Sequence, residues 1–435
     1  MHPRRAFTLI ELLVVIAIIA ILAVVVVLVL NPAQLLAQSR DANRVSDMAT
    51  LNSALNLYST DQSGASGYTM GSSSVVYASL PDASSTSCTD LGLPAMPTGY
   101  AWGCTTPQAL RNASSSGWVP VDLKAISSGS PLGSLPIDPV NSSSSRLFYT
   151  YTTNGTQYEV TASMESQKYR LGGSGDVIAG DGSSLATVYA KGTNLALEPL
   201  DYGDPSLVGY WPLDEGANAV AYDDSGNNAT GSWQGTQAGT SGYYSPGLNQ
   251  AWAGTFDGTT TYINLPASPF GAYPASGNTN NYSLTFTTWF KTASSGSILG
   301  QSSNTLPPTS PGGFVPAIYV DTSGKVRASM FWHGSTGSQI VSVNSYADNN
   351  WHSLADSYNN GVETLYIDGV LIGSQSMTED SYNNIYQYFL GTAYSGLWPL
   401  DNGGWFYFIG LINDVRIYDR ALSPAEIAAL YGAKK

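Results

Sequence analysis

At 435 residues the chain exceeds one ordinary domain, and its length predicts two or three. Only 11% of residues are charged, against about 25% in most soluble proteins. The formal net charge is −14 with 17 Lys and Arg, which excludes nucleic-acid binding as the main role, because phosphate neutralisation needs clustered cations.

The first segment is a short basic leader, Met1–Ala6, followed by the apolar run FTLIELLVVIAIIAILAVVVVLVL from Phe7 to Leu30, interrupted by one carboxylate, Glu11. As a helix this run is about 36 Å long at 1.5 Å per residue, enough to cross a hydrocarbon core of roughly 30 Å. A transmembrane helix is therefore predicted over 7–30, with Arg4 and Arg5 holding the leader on the cytoplasmic side. A signal peptide or plain anchor would look similar, but the run exceeds the roughly 7–15 residues of a secretory apolar region and no small-residue cleavage site follows. An ionisable group in a span usually marks a partner or a pathway.

The F-T-L-I-E-L-L motif resembles the class III signal of type IV pilins and type II secretion pseudopilins. That resemblance implies cleavage between Ala6 and Phe7 by a prepilin peptidase and methylation of the new amine on Phe7. It also implies that Glu11 is neutralised in the low-dielectric membrane by the terminal ammonium of a neighbouring pilin subunit, favouring lateral assembly. One departure is Ala6, where the family usually has Gly.

Asn31 and Pro32 follow the apolar run as an N-cap and first-turn proline, so the helix is kinked or restarted there. Val45, Met48, Leu51 or Asn52, Leu55 and Tyr58 recur at three- and four-residue spacing, with Arg40, Asp41, Arg44 and Asp47 clustered between them. This predicts an amphipathic helix over 31–60, matching the long pilin N-terminal helix whose distal half packs on a small head. Over 61–170 short β-like runs alternate with turns, at Val75–Leu80, Trp118–Leu123, Leu147–Thr153 and Gln157–Met164. The last two form a hairpin about Thr153-Asn154-Gly155-Thr156. Cys88 and Cys104 read as a disulfide of an extracytoplasmic protein, free thiols being the alternative. The stretch SPLGSLPIDPVN is similar to the Pro-containing loop before the final strands of pseudopilin-like proteins. From 171 to 205 the chain is rich in Gly, Ser and Asp and reads as a linker.

The third region, 206–431, reads as many short strands between Gly, Asn and Asp turns, the pattern of a β-sandwich. Four segments, LVGYWPLDEG, FDGTTTYINL, NNWHSLADSYNNGVETLYIDGVLIG and GLINDVRIYDRALSPAEIAALY, resemble LamG-like, concanavalin A-like jellyroll domains and arrive in family order. Ser423, Pro424 and Glu426 predict a capped terminal helix. The fold class expected is thus multidomain: a long N-terminal α-helix with a small α+β pilin head, then an all-β jellyroll sandwich.

Related sandwiches include glycoside hydrolases, which need paired carboxylates projecting toward one sugar ring. The eight glutamates here are dispersed and no Glu-x-Asp-x-Glu occurs, so no catalytic residue is assigned. His352 of the Trp-His pair reads as structural, and His333 is unassigned. Jellyrolls of this type commonly recognise glycans or proteins, often with Ca²⁺, and the turn AYDDSGNNATG offers Asp223, Asp224 and Asn228 near Asp414 of the V-R-I-Y strand. These four are candidate calcium ligands; the alternative is an Asx-rich turn satisfying its own backbone. Trp398, Trp405, Tyr388 and Tyr394 are candidates for stacking on a glycan, against the alternative that they are core. The whole reads as a pilin-like protein of the cytoplasmic membrane and cell surface, displaying a sandwich toward an extracellular glycan or protein ligand. A pseudopilin of a secretion or DNA-uptake machine and a membrane-anchored carbohydrate-active enzyme are the rival readings.

Overall fold

The computed structural model describes residues 9–84, 86–248, 251–271, 282–303, 306–378 and 385–434. Helix α1 runs Leu9–Leu30 and helix α2 runs Pro32–Gln62, separated where the sequence places its cap. Asn31 adopts a left-handed conformation (φ 37°) and its side chain accepts from the Gln34 amide, with Pro32 in the first turn. The break has a covalent cause, since proline has no amide to donate into a continuous helix.

The buried face of α2 is Ala37, Asp41, Arg44, Met48, Leu51, Ala54, Leu55 and Tyr58. Its apolar part follows the predicted stripe, with Val45 only partly buried at its margin. The surprise is that Asp41 and Arg44 are fully buried. Arg44 Nε and Nη2 meet Asp138 at 2.6 and 2.9 Å, and Nη1 meets Asp41 at 2.7 Å. Asp41 in turn accepts from the amides of Glu165 and Ser166. Burial of these charges is tolerable because every one is paired and hydrogen-bonded. Asp138 lies in the Pro-containing loop, so this cluster clamps that loop to the helix.

The head sheet comprises β1 (Val75–Pro81), β2 (Ala101–Thr105), β3 (Tyr149–Thr153), β4 (Tyr158–Ser163) and β5 (Val188–Gly192), in the order β2-β1-β3-β4-β5. All pairings are antiparallel except β1 with β2. The predicted hairpin is β3–β4, its turn held by Asn154 Oδ1, which accepts from the Thr156 and Gln157 amides. Cys88 and Cys104 form a disulfide with Cα atoms 5.5 Å apart. Two expectations are corrected. Trp118–Leu123 is no strand: its Trp118, Val119 and Val121 are core residues on an irregular segment. The segment 171–205 is no free linker, because β5 completes the head sheet and Leu185, Val188, Leu200 and Tyr202 pack with Ala78, Leu80 and Phe148.

Among the described residues the sandwich holds sixteen further strands. They are β6 (Leu207–Trp211), β7 (Val220–Ala221), β8 (Gly231–Gln234), β9 (Tyr244–Pro246), β10 (Trp252–Asp257), β11 (Tyr262–Leu265), β12 (Ser283–Lys291) and β13 (Gly296–Ser303). There follow β14 (Phe314–Val320), β15 (Lys325–Ala328), β16 (Ile340–Ser345), β17 (Trp351–Asn359), β18 (Val362–Ile367), β19 (Val370–Ser376), β20 (Ile385–Leu390) and β21 (Ile409–Tyr418). One sheet has the order β19-β18-β17-β12-β21-β10-β9, with β6 also on β21; the other runs β16-β15-β14-β13-β20-β11-β8-β7. The inner faces share one core that includes Trp211, Trp233, Phe256, Phe290, Ile318, Leu354 and Phe408. Helix α3, Pro424–Lys434, closes the chain behind the predicted capping box.

Head and sandwich meet in a buried seam. Arg416 of β21 lies over the Tyr210 ring and binds Asp201 at 2.8 Å, Asp414 at 3.0 Å and the Ser184 carbonyl at 3.0 Å. Arg420 pairs with Asp204 at 2.8 Å. At Gly172 (φ 74°) a Cβ would stand 2.6 Å from the Glu426 amide nitrogen, so only glycine lets this segment reach α3.

Candidate functional site

Ala6 and Phe7 lie outside the described residues. Glu11 occupies the first turn of α1. From Leu9 to Leu22 the large apolar side chains of α1 are 41–76% exposed, so the single chain supplies no cover for this helix. Among the described residues no helix is long and apolar enough to cross a membrane.

The four aromatics proposed for ligand contact divide in two. Tyr388 is 1% and Trp398 4% exposed; Tyr388 stacks on Phe270 at 3.8 Å and Trp398 meets Trp332 edge-on. Both are core residues, and neither offers a face to a ligand. Tyr394 and Trp405 are half-buried and packed edge-to-face at 5.8 Å. Two residues that the sequence reading missed buttress them, Phe314 against Tyr394 and Phe389 against Trp405. The indole of Trp405 donates to the Thr309 carbonyl at 3.1 Å, joining two loops. The loop between Tyr394 and Trp405 also presents Leu397 at 90% and Leu400 at 49% exposure, an apolar rim of the kind that marks contact surfaces. Strand alternation could have flagged Phe389, but nothing local in the sequence marks Phe314.

The acidic turn folds on itself. Asp223 Oδ1 accepts from the amides of Tyr210 (2.9 Å) and Ser225 (3.0 Å), and Oδ2 from that of Ala229 (2.8 Å). These contacts are those of the Asx-turn alternative, with the carboxylate also holding the end of β6. Asp414 Oδ1 is held by Arg416 at 3.0 Å and Lys434 at 2.9 Å. Burial would raise its pKa, but those two cations outweigh it and keep the carboxyl well below its usual range. Asn228 is exposed in a left-handed conformation. Among the described residues no group of three or more His, Cys, Asp or Glu is gathered to hold a metal. Asp224 is half-buried and lines a cavity together with Tyr100 and Glu198. His352 is bound by Asp368 at 2.8 Å and Asp348 at 3.0 Å; burial lowers its pKa, and the two carboxylates raise it further than that.

A prokaryotic N-terminal methylation motif matches residues 1–27, and the concanavalin A-like lectin/glucanases superfamily matches residues 257–428. The chain thus joins a prepilin-type N-terminus to a LamG-like sandwich. No curated protein matches the chain. Among solved structures it is similar to domain 4 of AbnA, a GH43 extracellular arabinanase from Geobacillus stearothermophilus, at 20% identity over 52% of this chain and 98% of that chain, with a TM-score of 0.34. It is also similar to Trypanosoma rangeli sialidase, at 15% identity over 52% of this chain and 32% of that chain, TM-score 0.36. A third likeness is to the binding domain of botulinum neurotoxin DC, at 13% identity over 53% and 52% of the two chains, TM-score 0.35. The chain therefore spans about a third of the sialidase's length and half of the toxin chain.

Proposed function

We propose that this is a pilin-like surface protein that inserts in the membrane and assembles through its N-terminal helix, displaying the sandwich for adhesion to an extracellular glycan or protein. The observation that carries the reading is the joining of the methylation motif to a concanavalin A-like sandwich. The uncovered apolar surface of α1 supports it, since lipid or neighbouring subunits must cover that surface. Prepilin peptidase would cut before Phe7, and Glu11 would pair with the methylated amine of the next subunit. Tyr394 and Trp405 are the residues offered for contact, and no reaction is assigned. Calcium has no part in this reading.

Full-length protein produced alongside a prepilin peptidase tests both halves. Mass spectrometry is expected to find an N-methylated Phe7 terminus, and Glu11→Ala to lose about tenfold or more in fibre incorporation. A mature chain that keeps Met1, or normal incorporation of the variant, overturns assembly. Tyr394→Ala with Trp405→Ala is expected to leave fibres intact and weaken attachment; unchanged attachment overturns the recognition surface. Lost export with intact fibres would favour the pseudopilin reading.

A further inference from the structure

The loop over residues 394–405 carries two leucines in a backbone conformation that leucine avoids. Leu397 has φ 77° and Leu400 φ 54°, the left-handed region in which a bulky side chain is a steric outlier and glycine or asparagine is favoured. Packing does not offset that cost, since Leu397 is 90% and Leu400 49% exposed. Between them Trp398 turns inward and meets Trp332 edge-on. The loop thus buries its anchor and holds its leucines in water, an arrangement from which the fold gains nothing, and such strain is a pointer to function.

Hydrogen bonds enforce the conformation. At the base of the loop Tyr394 and Trp405 form a β-bridge, the Ser395 amide donates to the Gly404 carbonyl at 2.9 Å and the Phe406 amide to the Ala393 carbonyl at 2.7 Å. Near the tip the Trp398 amide donates to the Ser395 carbonyl at 2.9 Å, the Tyr319 hydroxyl to the Pro399 carbonyl at 2.8 Å and the Thr322 amide to the Leu400 carbonyl at 3.0 Å. The bond from Trp405 to Thr309 ties in the neighbouring loop, where Leu306 is 46% exposed. The leucines are therefore presented in advance, and little ordering remains to offset a contact.

The chemistry of the two loops selects what covers them. Residues 306–313 and 394–405 contain one charged residue, Asp401, and no Lys, Arg or His. A sugar is the poorer occupant, because leucine has neither a ring face to stack on nor a hydrogen bond to give. A folded protein is also poorer, because a side chain standing this clear of its neighbours needs a matching pocket on the partner. Lipid needs no matching shape, since acyl chains close around any apolar group. Trp405 and Tyr394 at the base of the loop are the residue types that settle at headgroup level. With no cation in either loop, anionic headgroups supply no attraction.

We propose that the tip of this loop inserts Leu397 and Leu400 into the outer leaflet of a neutral lipid membrane. That the membrane is a foreign one rests on the surface-display reading; the contact itself does not.

The full chain, its α1 shielded in nanodiscs, tests this by co-flotation with vesicles of pure phosphatidylcholine. Leu397→Asn with Leu400→Asn keeps α1 and relaxes the left-handed backbone, so it is expected to fold at least as stably as wild type and to bind the vesicles about tenfold or more weakly. Leu397→Met is expected to keep binding. Phosphatidylserine in the vesicles, or salt raised to about 0.5 M, is expected to change little. Equal flotation of wild type and the double Asn variant, or none of wild type, overturns the proposal. So does binding that requires anionic lipid or a glycolipid, and so does self-association that the double Asn variant abolishes while vesicles go unbound. If vesicle binding fails while attachment through Tyr394 and Trp405 persists, the insertion falls and the display reading stands; vesicle binding by a chain that never enters fibres leaves the reverse.

Discussion

The head and the sandwich each bury a cluster of acids, and they neutralise them in opposite ways. In the head, Arg44 answers Asp41 and Asp138 with hydrogen-bonded ion pairs. In the sandwich, Asp356 of β17 and Glu363 of β18 lie on the inner face with Leu354, Tyr358 and Leu365, both 0% exposed. Glu363 accepts from the Met330 amide and from Gln375 Nε2. Asp356 receives no donor on either oxygen, so it can pair with Glu363 only as the protonated acid. Opposite charge solves the problem in one unit; in the other the acids have no cation, and burial raises the pKa of both. The two units should therefore respond differently to mutation and to pH.

The largest effect is expected from breaking the head's cluster. Arg44→Met leaves two carboxylates buried without a cation and should cost about 3–5 kcal/mol, read as faster amide exchange across α2 and β4. The double variant Arg44→Met, Asp138→Leu should recover part of that loss, because the orphaned charge goes with its partner. A loss below about 1 kcal/mol in the single variant would mean that water reaches the cluster. Next in size is Cys104→Ser, which opens a loop of sequence separation 16 and should cost about 3 kcal/mol in the head. The sandwich midpoint should stay where it is.

Why the head's cluster escapes a reading of the sequence is plain from its residues. Arg44 and Asp41 look like a solvated stripe between apolar positions, and only Asp138, 94 residues away, turns them inward. The apolar stripe of α2, its cap at Asn31 and the β3–β4 turn were legible because each is set by neighbours in sequence. Strands β2 and β5 were not: AWGCT and VYAKG are short and mixed, and pairing with β1 and β4 makes them strands. At the site, the composition of the acidic turn admitted both a metal and a self-satisfied loop, and only the fold shows the three backbone amides that Asp223 accepts from. Nor could sequence separate the core residues Tyr388 and Trp398 from the half-open pair Tyr394 and Trp405, since aromatics near loops serve both uses.

The pH comparison carries the next effect. Burial, then repulsion by Glu363, holds the Asp356 pKa well above its usual value, and burial raises that of Glu363. Above the ordinary carboxylate pKa the unfolded chain has released these protons while the folded sandwich retains them, so stability falls as pH rises toward the raised values. Glu165 in the head runs the other way. Its hydrogen bond from Arg40 outweighs desolvation and lowers its pKa, giving stability that is present above the ordinary value and lost as pH falls. Thermal scans from pH 4 to pH 8 should therefore show the sandwich weakening toward alkaline pH. Asp356→Asn should flatten that slope and stabilise the sandwich by about 1–3 kcal/mol at pH 8, an amide donor replacing an acid that must keep its proton. An unchanged slope in the variant would rule out Asp356 as the source of the pH dependence.

The smallest effect sharpens the comparison at the seam where both units meet. Ser423 Oγ accepts from the Glu426 amide at 3.3 Å, and Glu426 Oε2 accepts from the Ser423 amide at 2.8 Å. Glu426 Oε1 meanwhile takes Arg420, which also holds Asp204 at 2.8 Å. Ser423→Ala removes one cap and should cost about 1 kcal/mol, read as faster exchange in the first turn of α3. The far end of α3 should be spared, because Ile427 is buried and Tyr431 stacks on Trp289 at 5.7 Å. Glu426→Gln should cost more, since it weakens both the cap and the Arg420 pairing that ties α3 to Asp204. If the two variants cost the same, the cap alone holds the helix start, and the ion pair to Asp204 contributes no more than an exposed surface pair does.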